Sequence, residues 1–413
     1  MSAVKVCMIL PSAVLHNKYG ISFVPPEVGI IGHLSSLGYE VTWVLSSGVV
    51  IDPEGSTING IHILIVPLRK GVGKSAFVKK SIDYLRKIGL VRSLFRKERF
   101  NIIFLRNDVL PALFFDGLLA LSMHKKHRNI LLFQIENPIE QNLETRLITG
   151  SRSKIVSSTL SWIERIIVMH LMHQADIVIP ISASLKDDLI EKGISSKKTI
   201  VLPEGVDMER FLSADGQSIR TKYALDGSKV IVYSGKMDKE RDLGILIRAF
   251  ADVRKNNDAK LLMVGDGNDK KNLIRLAEEL GVASDILFVG WFVQSKVPNF
   301  IAAADIGVCL VPPLEFYMKS SPIKMLEYMA LGKPVVANLE IPEQRSVIQE
   351  SEGGVLVEYE IKSIAKGLEV LLTNFESSKA MGKKGQSWIM KTRSYDVLVR
   401  QIEEEFPRSV RNG

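Results

Sequence analysis

Ser320-Ser321-Pro322-Ile323-Lys324-Met325-Leu326-Glu327-Tyr328-Met329-Ala330-Leu331-Gly332-Lys333-Pro334-Val335-Val336-Ala337 carries the reading of the whole chain. The Ser-Ser-Pro turn predicts a helix start, Gly332 predicts its stop, and Val335–Ala337 predicts a buried strand. In an open α/β sheet, ligands bind outside the carboxyl ends of the strands, where helix N-termini offer N–H groups to anions. A carboxylate on the early turns of such a helix, here Glu327, can accept hydrogen bonds from sugar hydroxyls while the helix start holds phosphate. A lone Glu is more often a plain surface charge, so the weight falls on its surroundings.

Those surroundings alternate strand and helix patterns. Strands are expected at Val4–Leu10, Glu40–Leu45, Ile61–Pro67, Ile102–Leu105, Ile130–Ile135, Ile177–Ile181 and Thr199–Leu202. Helical periodicity falls at Pro26–Leu37, Ser75–Phe95 and Val156–Met172. Turn residues at Pro203-Glu204-Gly205 end that series. A second one begins at Lys229–Ser234 and runs through Leu243–Arg254, Lys260–Val264, Lys270–Leu280, Ile286–Val289, Val297–Ala304 and Ile306–Val311 to the quoted segment. Alternation of this kind predicts right-handed βαβ units and parallel sheets. The expected division is residues 1–205, 206–390, and a C-terminal helix and tail at 391–413, with that helix (Ser394–Glu405) packing back toward the first domain.

Size and composition agree. A chain of 413 residues exceeds one ordinary core, and its 46% hydrophobic content excludes disorder. The two cysteines, Cys7 and Cys309, lie in apolar strand-like runs, which suits a reducing compartment and offers neither a disulfide framework nor a metal site. The apolar run in the opening residues is too short for a secretory signal, and no stretch has the roughly 18 apolar residues of a spanning helix. The net charge of +8 is unevenly placed. Lys70–Arg99 holds ten cations against Asp83 and Glu98, with Val78, Ile82, Leu85, Ile88, Val91 and Phe95 threaded through at helical spacing. No aromatic or base-reading motif accompanies that charge, which argues against nucleic acid. It fits either a helix on an anionic bilayer surface or a core-packed helix with a solvated basic face.

Three more turns could carry chemistry. In Tyr233-Ser234-Gly235-Lys236-Met237-Asp238-Lys239-Glu240-Arg241 a strand ends in glycine, and Lys236 and Arg241 are placed to reach a diphosphate. Val264-Gly265-Asp266-Gly267 is a second close βα turn. Val289-Gly290-Trp291-Phe292 offers aromatics that serve equally as core. By contrast, Gly71-Val72-Gly73-Lys74-Ser75 is not a phosphate loop, since that motif needs glycine where Leu68 stands.

In order and spacing these pieces, from Ile200 through Ala337, closely resemble the group 1 (family 4) retaining glycosyltransferases. The resemblance implies an α/β GT-B fold, two doubly wound Rossmann-like domains facing each other across a cleft. It also implies transfer of a sugar from a UDP- or GDP-linked donor to an acceptor, with no metal and no cofactor beyond the donor itself. Donor contacts then fall on Gly235, Lys236, Arg241, Gly265, Trp291, Phe292, Lys319, Ser320, Ser321, Pro322, Ile323, Lys324 and Glu327. Lys236 and Arg241 are the catalytic cations, and Glu327 is the ribose ligand.

The chain also departs from the pattern. The order of Arg and Lys at 236 and 241 is swapped, and Lys319 stands where relatives often place a sugar-contacting Glu. The first half matches more loosely. Gly20 stands for the glycine loop facing the donor phosphates, without its usual second glycine, and Glu136 aligns with an acceptor-site acid or His. The expected acceptor is lipid-linked or a cell-envelope glycan, reached from the cytoplasm at the inner face of the membrane through Lys70–Arg99. The competing readings are a non-catalytic nucleotide-sugar or membrane-binding subunit, and another GT-B enzyme such as a sugar epimerase.

Overall fold

A computed structural model describes residues 3–9, 33–47, 56–58, 61–67, 74–106, 112–136, 138 and 154–406. The chain divides into two units, Met1–Leu202 with Val399–Gly413, and Pro203–Leu398.

In the first unit the strands are β1 (Lys5–Ile9), β2 (Glu40–Ser47), β3 (Ser56–Ile58), β4 (Ile61–Pro67), β5 (Ile102–Arg106), β6 (Ile130–Ile135) and β7 (Ile177–Pro180). Among the described residues they form one sheet in the order β3-β4-β2-β1-β5-β6-β7. All pairs are parallel except β3 with β4. The central strands β1, β5 and β6 are mostly apolar and buried at consecutive residues, so both of their faces are covered, as parallel sheets require. Thr199–Leu202 is not a strand. Only Thr199 forms a bridge, to Val178, while Ile200 and Leu202 donate to the Val178 and Pro180 carbonyls. Of the pattern at Pro26–Leu37, a single 3-10 turn, His33–Leu37, falls within the described residues. The final helix, Tyr395–Glu404, ends in this unit, where Tyr39 donates to Glu403 at 2.9 Å and its ring meets that of Phe406.

The helix Lys74–Lys97 corrects the expected basic face at one position. Lys87 is buried and bonds Asp116 on the helix Ala112–His127 at 2.8 Å. Burial pushes the Asp116 carboxyl up, against the pull of Lys87. A pair held this far from water costs most of what it returns, but losing either partner strands a charge. Its apolar stripe also divides: Val91 and Phe95 enter the core, whereas Ile82 and Leu85 face solvent.

The second unit contains β8 (Lys229–Ser234), β9 (Ala259–Val264), β10 (Ile286–Gly290), β11 (Ile306–Cys309), β12 (Val335–Asn338) and β13 (Gly354–Val357). Its order is β10-β9-β8-β11-β12-β13, parallel throughout. Strand order reverses between β8 and β11, so ligands are expected at their carboxyl ends. Asn338 fixes that end from within the core. Its amide accepts from Val311 N at 2.8 Å and donates to Val311 O at 3.0 Å, tying the end of β12 to the segment that leads into the quoted helix.

Candidate functional site

The reversal point brings together Gly235, Gly265 and Lys324 of the residues expected from sequence. Gly235 ends β8 at φ +143°, and a Cβ there would lie 2.6 Å from Lys324 Cε and 2.8 Å from its Nζ. The next turn is as tight: at Gly265, φ +140°, a Cβ would stand 1.9 Å from the Gly235 carbonyl oxygen. Only residues without a side chain allow these turns to approach so closely. Lys324 lies over the Tyr233 ring at 4.5 Å and donates to Tyr233 Oη at 3.1 Å. Tyr233 Oη donates in turn to the Lys236 carbonyl at 2.8 Å. Thus the turn bearing Lys236 and the helix bearing Lys324 are held by one phenol. The Lys236 side chain is exposed. Arg241 stacks on Tyr317 at 4.9 Å, and burial raises the Tyr317 phenol against the opposing pull of Arg241.

The helix Ile323–Ala330 begins at Pro322, with no side chain capping its N-terminus. Its opposite face is locked by Tyr328, whose Oη accepts from Ser234 N at 2.8 Å. Glu327 is only 9% exposed. Among the described residues, no hydrogen bond or ion pair reaches its carboxylate. Loss of hydration pushes that carboxyl up to about 7, with Arg210 and then Lys324 pulling it down. A buried acceptor kept open in this way suits a ligand that brings its own donors.

The turn before the helix is held by a different network. Ser321 accepts from Glu204 N at 3.3 Å and donates weakly to Glu343, which Arg393 holds at 2.9 Å. Ser320 donates to Tyr317 O at 2.6 Å, and Lys319 reaches Glu315 at 4.0 Å. The two aromatics separate. Trp291 is 52% exposed, while Phe292 packs on Phe300 with ring centroids 4.3 Å apart and so belongs to the core. Gly20 lies outside the described residues. Glu136 belongs to the first unit, at the end of β6, and pairs with Arg106 at 3.0 Å.

Arg210 is the residue that sequence reasoning missed. It stands on the short helix Met208–Leu212, whose N-cap Asp207 accepts from Arg210 N at 3.2 Å. The signal available was the turn Pro203-Glu204-Gly205-Val206-Asp207, read only as a domain break.

Comparison with known proteins identifies the family and the fold. The model described as glycosyl transferases group 1 matches residues 215–388, and that of glycosyltransferase family 4 matches residues 29–210. A GDP-mannose-dependent alpha-(1-6)-phosphatidylinositol monomannoside mannosyltransferase of Mycolicibacterium smegmatis is 26% identical over 250 residues, which is 59% of this chain and 65% of that protein. The chain therefore spans just under two thirds of that relative. Among solved structures, sucrose-phosphate synthase from Thermosynechococcus elongatus superposes with a TM-score of 0.73 at 16% identity, covering 99% of this chain and 100% of the other. Anabaena HepE in complex with UDP and glucose gives 0.69 at 14% identity, covering 97% and 99%. The fold is the two-domain α/β GT-B fold.

Proposed function

Because the chain belongs to the group 1, family 4 glycosyltransferases, we propose that it is a retaining, metal-independent transferase moving a sugar from a UDP- or GDP-linked donor to a lipid-linked or cell-envelope acceptor. The carrying observation is Glu327: a buried carboxylate without a partner among the described residues, on a helix whose Lys324 closes over Gly235 at the reversal point of the sheet. Glu327 takes the ribose hydroxyls. Lys236, Arg241, Lys324 and the uncapped helix start neutralise the diphosphate as it departs, so stabilisation of the leaving group dominates catalysis. Trp291 flanks the base. Glu136 acts on the acceptor, which attacks from the face the diphosphate leaves. The mannosyltransferase relative supports a GDP donor and a lipid acceptor, and the HepE complex supports a UDP donor. Incubation with a panel of UDP- and GDP-sugars is expected to release free nucleoside diphosphate slowly, undiminished by EDTA. Loss of release that magnesium restores overturns the metal-free reading. Tight binding without any release selects a non-catalytic nucleotide-sugar subunit, the reading that Lys319 favours.

The proposal extends to the inner face of the cytoplasmic membrane as the working surface. No helix among the described residues is long and apolar enough to cross a bilayer. The helix Ala112–His127 packs beside both Lys74–Lys97 and Lys154–Gln174. Together the three hold twelve Lys or Arg against three acids, Asp83, Asp116 and Glu164, and two of those acids are buried. Leu85 and Trp162 are each 64% exposed, accompanied by Phe114, Leu118 and Ile166. Apolar side chains set among cations are what an anionic bilayer retains, at about 1 kcal/mol per nearby cation. Sedimentation with anionic liposomes is expected at low salt and to fall at high salt. The pair Arg86→Glu and Arg92→Glu, or Trp162→Ser, is expected to weaken it. Absence of binding at low salt, or binding indifferent to these changes, refutes the membrane assignment. Lys87 is unsuitable for this test, being buried against Asp116.

A further inference from the structure

The environment of Glu327 raises a question of charge. A carboxylate in a dry site is tenable as an anion only with a cation nearby. Two cations act on it, Arg210 more strongly than Lys324. Lys324 is shared, since its ammonium also serves Tyr233 Oη. Glu204 and Asp207 belong to the same cluster, since Tyr395 feels both of them as well as Glu327 and Arg210.

Its geometry is directed. The short helix bearing Arg210 packs on the helix bearing Glu327. Arg210 Nη2 donates to the Gln294 carbonyl, in the loop that follows β10 and Trp291. Two further atoms of these residues, Arg210 Nε and the Gln294 side-chain Oε1, are buried without a hydrogen-bond partner among the described residues. Buried polar groups left open carry a desolvation cost, so their persistence beside a third open group points to a ligand that completes them.

We propose that Arg210 is a positioning residue of this site, holding Glu327 in the form that accepts the ribose hydroxyls and tying the base-side loop to the Glu327 helix. The proposal rests on the donor-site reading above. With the Glu327 carboxyl near 7, affinity for a nucleoside diphosphate rises with pH through neutrality and then levels as the carboxylate forms. Removing Arg210 removes the larger downward pull, so the rise moves to higher pH.

Calorimetric titration of UDP and GDP from pH 5.5 to 9 tests this on the full chain. Arg210→Gln is expected to displace the midpoint upward by about one pH unit, giving binding about tenfold weaker at pH 5.5, about fivefold weaker at pH 7 and little changed at pH 9. Arg210→Lys keeps the charge and is expected to keep the wild-type midpoint, which preserves the test if the glutamine variant does not fold. In a Glu327→Gln background, Arg210→Gln is expected to displace nothing. Titration of the ligand's own phosphate is common to all variants and cancels. A purely structural Arg210 would weaken binding by one constant factor at every pH, and that result, or a displaced midpoint in Arg210→Lys, overturns the proposal. Failure of the wild type to bind UDP or GDP at any pH refutes the donor-site reading itself, and the proposal with it.

Discussion

Replacing Lys236 or Arg241 by Ala is expected to lower kcat by about a hundred- to a thousandfold while leaving the fold nearly intact. Each cation is proposed to meet charge that grows on the diphosphate only as the glycosidic bond breaks, and donors aimed at developing charge contribute on this scale. The two differ in structural cost. The Lys236 side chain is exposed, so its removal changes stability by less than about 0.5 kcal/mol. Arg241 also loses its contact with the Tyr317 ring, which adds roughly 0.5–1 kcal/mol. Single-turnover rates and thermal melts on the same preparations decide the matter. Loss of activity in proportion to loss of stability makes both residues structural. Because bidentate geometry belongs to Arg alone, Lys236→Arg and Arg241→Lys are expected to change the rate further, not to leave it unchanged.

How much of this was legible beforehand depends on what each signal reports. Periodicity found the sheets because central parallel strands are apolar on both faces, and the glycines at 235 and 265 marked the close turns correctly. It failed where pairing is half made, at Thr199–Leu202, whose two amides reach β7 without completing a ladder. It also passed over the short strands β3 and β13. Sequence does not report burial of charge. Lys87 stood in a run of cations that looks solvated, yet it faces Asp116 across a dry helix interface. Composition likewise could not separate Trp291 from Phe292, adjacent aromatics that the chain sends to solvent and to core. Arg210 was invisible for a further reason. Its role depends on Gln294 and Glu327, which lie 84 residues and more along the chain, and no local pattern encodes such a meeting.

Replacing Glu327 by Gln is expected to trade binding for stability, in opposite directions and in different pH ranges. The Glu327 carboxyl stands at about 7, above its ordinary 4.5, because burial penalises the anion. Between those values the native state keeps a proton that the unfolded chain has released. Stability therefore falls as pH rises through that window and stays low above it. At 1.36 kcal/mol per pH unit, the penalty at pH 8 reaches about 3 kcal/mol. An amide has no anion to desolvate. The gap in melting temperature between variant and wild type is thus expected to move in the variant's favour from pH 4 to pH 8. Over the same comparison, affinity for UDP or GDP at pH 8 is expected to drop by about 1.5–3 kcal/mol, the scale of hydrogen bonds to a charged acceptor. A melting gap independent of pH would mean that the carboxyl is hydrated and unstrained in the native state. Unchanged affinity would mean that the ribose is held elsewhere. Both results as expected would identify position 327 as a place where the fold keeps an unfavourable buried charge because the donor needs it.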